Sequence, residues 1–188
     1  MINLYWPVYK NIEKELIELS NQVHFDDDQL SIYSVKISEL LIRCSVEIEA
    51  ISKDLFLRLG GTEPLEGDLY FDTDCLQLLE DSWLLSKKKL IISAPNFYFQ
   101  HTENKFFSPL LKANKRGSSG SDWKKGYQAV KHNRTLNLKR GNLKNLLRAL
   151  GALFILNIYY KNEVFNFEKD HLATSFPINM GSDIFAIK

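Results

Sequence analysis

The feature that most constrains the fold is a stretch near the end of the chain that is apolar on every side. From Ala149 to Tyr160 no residue is charged, and Asn157 is the one residue with an amide side chain. A helix without a polar face belongs at the centre of a bundle, where neighbours cover all of it. The stretch is shorter than the roughly 20 apolar residues of a membrane span, so we expect no membrane association. The sequence therefore predicts a central helix over residues 141–161.

A seven-residue repeat predicts a second long helix. The acidic run from Asp26 to Asp28 supplies an N-terminal cap, and the pair Gly60 and Gly61 supplies an end. One apolar stripe along this helix consists of Leu30, Ile37, Leu41, Cys44, Ile48, Ile51 and Leu55. A second strip, on the opposite side, consists of Val35, Ile42 and Val46. We therefore expect neighbouring elements to cover this helix on two sides.

The remaining segments complete a mainly helical chain. Apolar spacing from Pro7 to about Val23 predicts a first helix, and Asp72 begins a third that extends to about Leu85. Short apolar or alternating pieces predict strands at residues 69–71, 164–167 and 184–187, and residues 89–92 are either a strand or the end of a helix. We predict an all-α (mainly) fold, a helical bundle of four to six helices with a small β element near the C-terminus. Residues 1–188 are expected to form one domain, with residues 163–188 as a partly extended tail that packs on it.

Charge is segregated along the chain. Residues 112–148, here called the basic region, contain eleven of the 24 Lys and Arg residues and one acidic residue, Asp122, which gives them a formal charge of +10. The other residues have thirteen basic and twenty-two acidic side chains, a charge of −9, so the net charge of +1 hides the contrast. A concentrated cationic region favours RNA or another phosphate-rich ligand as partner.

A helix predicted from about residue 121 to residue 134 carries the candidate site, and its packing face consists of Trp123, Tyr127 and Val130. His132 lies at the edge of this face, where an imidazole can serve as base or acid near neutral pH. Arg134 can hold a phosphate through two parallel hydrogen bonds. Further phosphate or RNA contacts are expected from Lys124, Lys125, Lys131, Lys139 and Arg140. Alternatively, His132 and Arg134 cap the end of the helix by binding its free carbonyls or a neighbouring carboxylate.

Two charged residues of the second helix are added to this candidate catalytic site. Glu47 occupies a position of the seven-residue repeat that Tyr33 and Leu40 occupy earlier, so its carboxylate is partly buried and needs a partner. Arg43, four residues before it, is one candidate. The other is a contact with His132 or Arg134, in which Glu47 orients the site. We therefore group Glu47 and Arg43 with His132 and Arg134.

Several classes of protein are excluded by what the sequence lacks. It contains no Gly-rich phosphate loop, no Gly-x-Ser-x-Gly elbow and no Cys-x-x-Cys pair. His24 has no second histidine at helical spacing, so we expect no metal site, and we expect no cofactor. The two cysteines, Cys44 and Cys75, lie in helix-like sequence and do not suggest a disulfide framework. Together with the absence of a secretion signal in the sequence given, this predicts a cytoplasmic protein.

The combination of Arg43-x-x-x-Glu47-Ile-Glu49-x-Ile-Ser-Lys53, Trp123-x-x-x-Tyr-x-x-Val-Lys-His132-x-Arg134 and a following apolar helix resembles the HEPN (higher eukaryotes and prokaryotes nucleotide-binding) helical domains. The resemblance covers roughly residues 28–161. It implies an all-helical bundle, a homodimer that brings two basic helices together, and RNA binding. It also implies metal-independent endoribonuclease activity, with the RNA 2′-hydroxyl as nucleophile, in a bacterial toxin or antiphage defence system.

The chain departs from the usual HEPN pattern at its arginine. In that family an arginine precedes the histidine by about five to seven positions, whereas here Tyr127 stands five and Lys125 seven positions before His132. His132 alone matches the family as the proton-transfer group, and Arg134 follows it. Related bundles without the motif serve as binding or scaffold modules. The alternatives are therefore a non-catalytic interaction protein with a protein partner, or a nucleotide-binding module that uses the same basic helix.

Overall fold

The computed structural model describes residues 3–161 and 181–187. Within these residues the chain forms six α-helices: α1 Tyr5–Ser20, α2 Val35–Arg58, α3 Gln77–Trp83, α4 Thr102–Lys105, α5 Asp122–Asn137 and α6 Leu143–Tyr160. Three short strands complete this part of the chain: β1 Leu90–Ile92, β2 Phe106–Phe107 and β3 Phe185–Ile187. The prediction of a mainly helical bundle with a small β element near the C-terminus is confirmed.

Helix α6 lies at the centre of the fold, as its sequence predicted. Every residue from Ala149 to Tyr160 is buried. Asn142 caps the helix by accepting a hydrogen bond from the backbone N–H of Asn145 at 2.9 Å. The buried amide of Asn157 donates to the carbonyl of Leu153 at 3.0 Å, so its polar group has a partner inside the helix. Among the helices of the described residues, none is long and apolar enough to span a membrane.

Helix α2 packs along α6 through the predicted stripe, whose members are all buried: Leu30, Ile37, Leu41, Cys44, Ile48, Ile51 and Leu55. Its beginning differs from the prediction. The carboxylate of Asp26 accepts from the backbone N–H groups of Asp28 and Gln29 at 3.0 Å and caps a separate 3₁₀ turn, Asp28–Ser31. Ser34 then caps α2 by accepting from Ile37 N–H at 3.1 Å.

Two expectations about these elements are wrong. Val35 and Val46, predicted to pack against a neighbour, have 66% and 48% of their surface exposed, and only Ile42 of that strip contacts the core. Residues 69–71 do not form a strand; instead Phe71 begins a π-helical turn, Phe71–Leu76, that continues into α3. Three residues of apolar sequence specify a strand only when a partner strand lies beside them.

The strands form one antiparallel sheet in the order β2-β1-β3. Leu90 of β1 lies opposite Phe107 of β2 and Ile187 of β3. The strand predicted at residues 184–187 is confirmed. Of the two alternatives for residues 89–92, the strand is the one observed, and the strand predicted at residues 164–167 lies outside the described residues.

A buried carboxylate joins β3 to the helical bundle. Glu13 of α1 is fully buried and accepts hydrogen bonds from the Tyr9 hydroxyl at 2.7 Å and from the backbone N–H groups of Asp183 and Ile184 at 2.9 and 3.2 Å. The Ser182 hydroxyl donates to the same oxygen. Because a charge-assisted acceptor binds several donors here, the residues just before β3 are fixed against α1.

Candidate functional site

Helix α5 is anchored by the residues that the sequence assigned to its packing face, since Trp123, Tyr127 and Val130 are all buried. The Trp123 indole N–H donates to the carbonyl of Pro109 at 2.9 Å, which satisfies the polar atom of this buried ring. Gly126 lies on the same side, against α6. Lys124 is buried as well, whereas the other cations of α5, Lys125, Lys131 and Arg134, are partly or fully exposed.

The helix is interrupted at Asn133, whose backbone (φ −152°, ψ 74°) is not helical. The Asn133 side chain accepts from the backbone N–H of Leu136 at 3.3 Å, as a helix cap does. His132 and Arg134 therefore lie on either side of a break in the helix, and both are exposed.

The exposed pair does not close the end of the helix. The His132 ring nitrogen Nε2 lies 3.0 Å from the amide oxygen of Gln128, and Arg134 has no hydrogen bond or ion pair within residues 3–161 and 181–187. The alternative in which both side chains cap the helix through free carbonyls or a carboxylate is therefore wrong. Both groups are open to solvent.

Arg43 and Glu47 lie elsewhere. The Arg43 guanidinium pairs with Glu15 of α1 at 2.6 Å, so this cation faces α1. Burial raises the pKa of Glu47 and Arg43 lowers it in part. Glu47 also adds to the rise in the pKa of Tyr5 of α1, after burial and the Asp54 carboxylate. The expected contact of Glu47 with His132 or Arg134 is not found in the described part of the chain.

Glu49, two residues further along α2, is the carboxylate that faces α5. Burial raises the pKa of the Tyr127 hydroxyl, and Glu49 adds to that rise. A hydrogen bond to Tyr127 raises the pKa of the Lys131 ammonium, and Glu49 again contributes. Because successive helix residues point about 100° apart, positions 47 and 49 lie on different faces. The seven-residue repeat predicted that Glu47 is partly buried, but it did not indicate which face of α2 meets α5.

Two of the predicted phosphate-binding lysines already have protein partners. Lys124 is buried and donates to the Asp72 carboxylate at 2.8 Å and to the carbonyls of Ala113 and Lys115 at 2.7 Å. All three ammonium hydrogens are then used, and the expectation that Lys124 binds phosphate is wrong. Lys125 is only partly exposed and pairs with Asp122 at 2.8 Å.

The other predicted cations remain exposed, and we call them the exposed cation group: Lys131, Arg134, Lys139 and Arg140. Lys139 and Arg140 belong to a 3₁₀ turn, Leu138–Arg140, that connects α5 to α6. Within the described residues, no carboxylate lies within ion-pair distance of any member of the group. Leu136, which lies between Arg134 and Lys139 in the sequence, has 79% of its surface exposed.

A cleft of about 730 Å³, here called the larger cleft, adjoins this surface between α2 and α5. Glu49 and Lys53 line it from α2, and Lys124, Lys125 and Gln128 from α5. Because Gln128 contacts His132, the imidazole lies at the margin of the cleft.

The far wall of the larger cleft holds an exposed stack. The Arg116 guanidinium lies 3.8 Å from the centre of the Tyr70 ring, and Tyr70 is 43% exposed. Neither residue was singled out from the sequence, because they are 46 positions apart and belong to segments without periodicity. Within the described residues, no group of three or more His, Cys, Asp and Glu side chains is arranged to hold a metal ion.

Comparisons with protein-family models, with curated proteins and with solved structures gave no match for this chain.

Proposed function

We propose that this protein binds single-stranded RNA through the exposed cation group. The observation that carries the proposal is the contrast between two sets of cations in one basic region. Lys124 and Lys125 are paired with carboxylates, whereas Lys131, Arg134, Lys139 and Arg140 extend into solvent without one in the described residues. Unpaired, clustered cations bind phosphates by displacing condensed counterions.

The larger cleft supplies a place for a base. Proteins that bind single strands combine a cationic track for the backbone with aromatic or guanidinium planes on which unstacked bases lie. Tyr70 and Arg116 form such a pair of planes, and Tyr70 is open to the cleft. A strand that contacts Arg134 and Lys131 can place one base toward this stack.

Fluorescence anisotropy with a labelled single-stranded RNA of about ten nucleotides tests the proposal. We expect the triple variant Arg134→Ala, Lys139→Ala, Arg140→Ala to bind at least about tenfold more weakly. The slope of log affinity against log salt should also become less steep by about 2, since each lost phosphate contact accounts for about 0.7 in a single strand.

The matched control removes the same charge outside the basic region. Lys14, Lys87 and Lys89 are exposed, and the triple variant Lys14→Ala, Lys87→Ala, Lys89→Ala should retain nearly all of the affinity. If both triple variants lose affinity equally, net charge alone attracts the RNA and the exposed cation group is not the site. Absence of RNA binding at low salt by the unmodified protein would also exclude the proposal.

A second candidate function, metal-independent RNA cleavage, is favoured by the break at Asn133. It leaves an imidazole and a guanidinium exposed on adjoining turns, next to the cations that would hold the RNA. In this mechanism His132 transfers the proton of the 2′-hydroxyl and Arg134 stabilises charge on the phosphate. The reaction needs no metal, in keeping with the family that the sequence resembles. Arg43 and Glu47 face α1 and have no part in it.

Cleavage is tested by incubating labelled RNA in chelator with the unmodified protein and with His132→Ala. We expect a loss of at least about 100-fold in rate from the substitution, the usual contribution of a general acid or base. Equal rates would identify a contaminating nuclease. If neither protein cleaves RNA that both bind, the protein is a binding module and the catalytic role of His132 is excluded.

A further inference from the structure

A second cleft, of about 410 Å³, lies at the opposite end of α5 from the exposed cation group. We call it the smaller cleft. Among the apolar residues that line it, Leu111 is exposed and Phe106 is partly exposed, whereas Phe107, Pro109 and Trp123 are buried behind them; the cations Lys125 and Arg148 also line it. The smaller cleft therefore offers some apolar surface beside positive charge.

Arg148 is the least expected residue in this wall. It is half-buried, and its guanidinium lies 4.9 Å from the centre of the Phe107 ring. Burial lowers the pKa of this guanidinium, opposed in part by the charge of Asp122. In the part of the chain that the structure describes, Arg148 has no hydrogen bond and no ion pair. A guanidinium removed from water without a hydrogen-bond acceptor is destabilising, and an anion in the cleft would relieve that cost.

Ser121 provides an independent sign of a missing ligand. Only 9% of its surface is exposed, and its hydroxyl has no hydrogen-bond partner. It occupies the N-cap of α5 and lines the smaller cleft, yet its side chain does not accept from the helix as a capping serine does. The N–H groups at a helix N-terminus attract anions. The hydroxyl oxygen has almost no surface open to the cleft, so the Ser121 side chain would have to rotate in order to donate to an oxyanion bound there.

The charges around the cleft are not balanced by protein carboxylates. Asp122 accepts from Lys125 at 2.8 Å. That hydrogen bond is the main reason why the pKa of Asp122 is low, and the charges of Lys144 and Arg148 lower it further. Three cations, Lys125, Lys144 and Arg148, thus lower the pKa of the single carboxylate of Asp122. The other carboxylate in the wall, Glu103, is exposed at its margin. A dianionic ligand matches this excess of positive charge.

We propose that the smaller cleft binds a phosphomonoester, with its phosphate held by Arg148, Lys125 and the Ser121 hydroxyl. The accessible apolar side chains of Leu111 and Phe106 then contact the organic part of the ligand. The volume of about 410 Å³ is sufficient for a group the size of a mononucleotide. The phosphate can belong to a free nucleotide or to the 5′ end of an RNA. The inference is independent of the exposed cation group, which lies toward the C-terminal end of α5 and in the turn that follows it.

Isothermal titration calorimetry with adenosine 5′-monophosphate, with adenosine and with inorganic phosphate tests this site. We expect saturable binding of the monophosphate, at least about tenfold weaker binding of adenosine, and a loss of about tenfold or more in monophosphate affinity in Arg148→Met, since a hydrogen-bonded ion pair is removed. Ser121→Ala should weaken binding by a smaller factor. The control Lys14→Met, an exposed cation of α1 away from both clefts, should bind like the unmodified protein.

A stability measurement separates a ligand site from a structural role of Arg148. If the guanidinium serves a ligand, Arg148→Met should unfold at the same urea concentration as the unmodified protein or at a higher one, because an uncompensated charge is replaced by an apolar side chain. Failure of the monophosphate to bind, unchanged affinity in Arg148→Met, or a clear loss of stability in that variant would each overturn the proposal.

The two sources of the phosphate are distinguished with a pair of RNAs that differ only at the 5′ end. Tighter binding of the 5′-phosphorylated RNA than of the 5′-hydroxyl RNA, abolished in Arg148→Met, assigns the cleft to an RNA end. Equal binding of the two RNAs, with monophosphate binding intact, assigns it to a free phosphomonoester. The variant that replaces Arg134, Lys139 and Arg140 should lose RNA binding and retain monophosphate binding, so failures of the two proposals are separable.

Discussion

Lys124 and Lys125 are adjacent in the sequence but have opposite surroundings. Lys124 lies under protein with its ammonium bonded to Asp72 and to two carbonyls, whereas Lys125 is partly exposed. At the scale of single residues, burial rather than residue type separates a structural cation from one that can meet a ligand. The sequence hardly distinguishes the two lysines, because they are neighbours that directly follow Trp123 on the same helix.

Replacement of these two lysines should therefore have unequal effects on stability. Lys124→Met leaves Asp72 buried with a more distant partner, Arg116 at 3.7 Å, and should lower the free energy of unfolding by about 3 kcal/mol. Lys125→Met should lower it by less than about 1 kcal/mol, as expected for an exposed pair. Urea denaturation followed by circular dichroism measures both. Equal losses would contradict the assignment of Lys124 to the core.

Glu15 makes the stability of the fold depend on pH. Hydrogen bonds from Lys36 and Arg43 lower the pKa of its carboxyl. A carboxyl whose pKa is lower in the folded state contributes stability above its unfolded pKa of about 4.3. That contribution is lost as the pH falls through the folded value. Between about pH 5.5 and pH 3, Glu15→Gln should lose less stability than the unmodified protein, measured by urea midpoints. A larger loss in the variant would contradict the pairing.

Sequence reasoning identified the packing residues of α5 correctly because Trp123, Tyr127 and Val130 recur with helical spacing. It failed on Glu47 because periodicity shows that two helices have apolar faces but not which of their polar edges meet. Arg148 shows the same limit. It appeared in the sequence as one cation in the basic region, and only the fold places it beside Phe107 and Ser121.

At the scale of elements, α5 and α6 approach closely at Gly126. A methyl group there would lie 2.9 Å from the backbone oxygen of Arg140 and 2.6 Å from the Asn145 amide nitrogen. That amide donates to the same oxygen at 2.9 Å. The glycine therefore permits a contact that fixes the turn carrying Lys139 and Arg140.

Gly126→Ala should destabilise the protein even though alanine has a higher helix propensity than glycine. Alanine favours a helix by about 1 kcal/mol over glycine, whereas overpacking costs about 1–3 kcal/mol and the Asn145 hydrogen bond about 1 kcal/mol. We expect a net loss of about 1–2 kcal/mol in the free energy of unfolding. Denaturant titration of the variant decides the sign. A gain in stability would mean that α5 and α6 do not touch at this point.

The elements that the sequence predicted well are those with long apolar patterns. Helices α2 and α6 were predicted with their faces because many buried positions repeat along each. The sequence placed the end of this helix at residue 134, one residue from the break at Asn133, but did not predict that a further helical turn follows to Asn137, capped by the Asn133 side chain. The π-helical turn before α3 was missed for a similar reason, because tertiary packing selects such turns.

At the scale of the whole molecule, the segregation of charge affects how strongly two copies of the chain can associate. The homodimer itself stays a prediction. Two basic helices brought together would repel each other, and salt or bound RNA screens that repulsion. Sedimentation equilibrium should therefore show about twice the chain mass of 21.8 kDa, with tighter association in moderate salt or with RNA than in low salt. The chain mass alone under all three conditions would exclude the dimer.

The most direct test of the central claim is a map of the residues that touch RNA. Ultraviolet cross-linking of a thiouridine-containing single strand, followed by mass spectrometry, identifies the contacted peptides. We predict cross-links in the peptides that contain Arg134, Lys139 and Arg140, and beside Tyr70 at the larger cleft. Cross-links confined to α1 and the other acidic parts of the chain, with the exposed cation group unlabelled, would contradict the account.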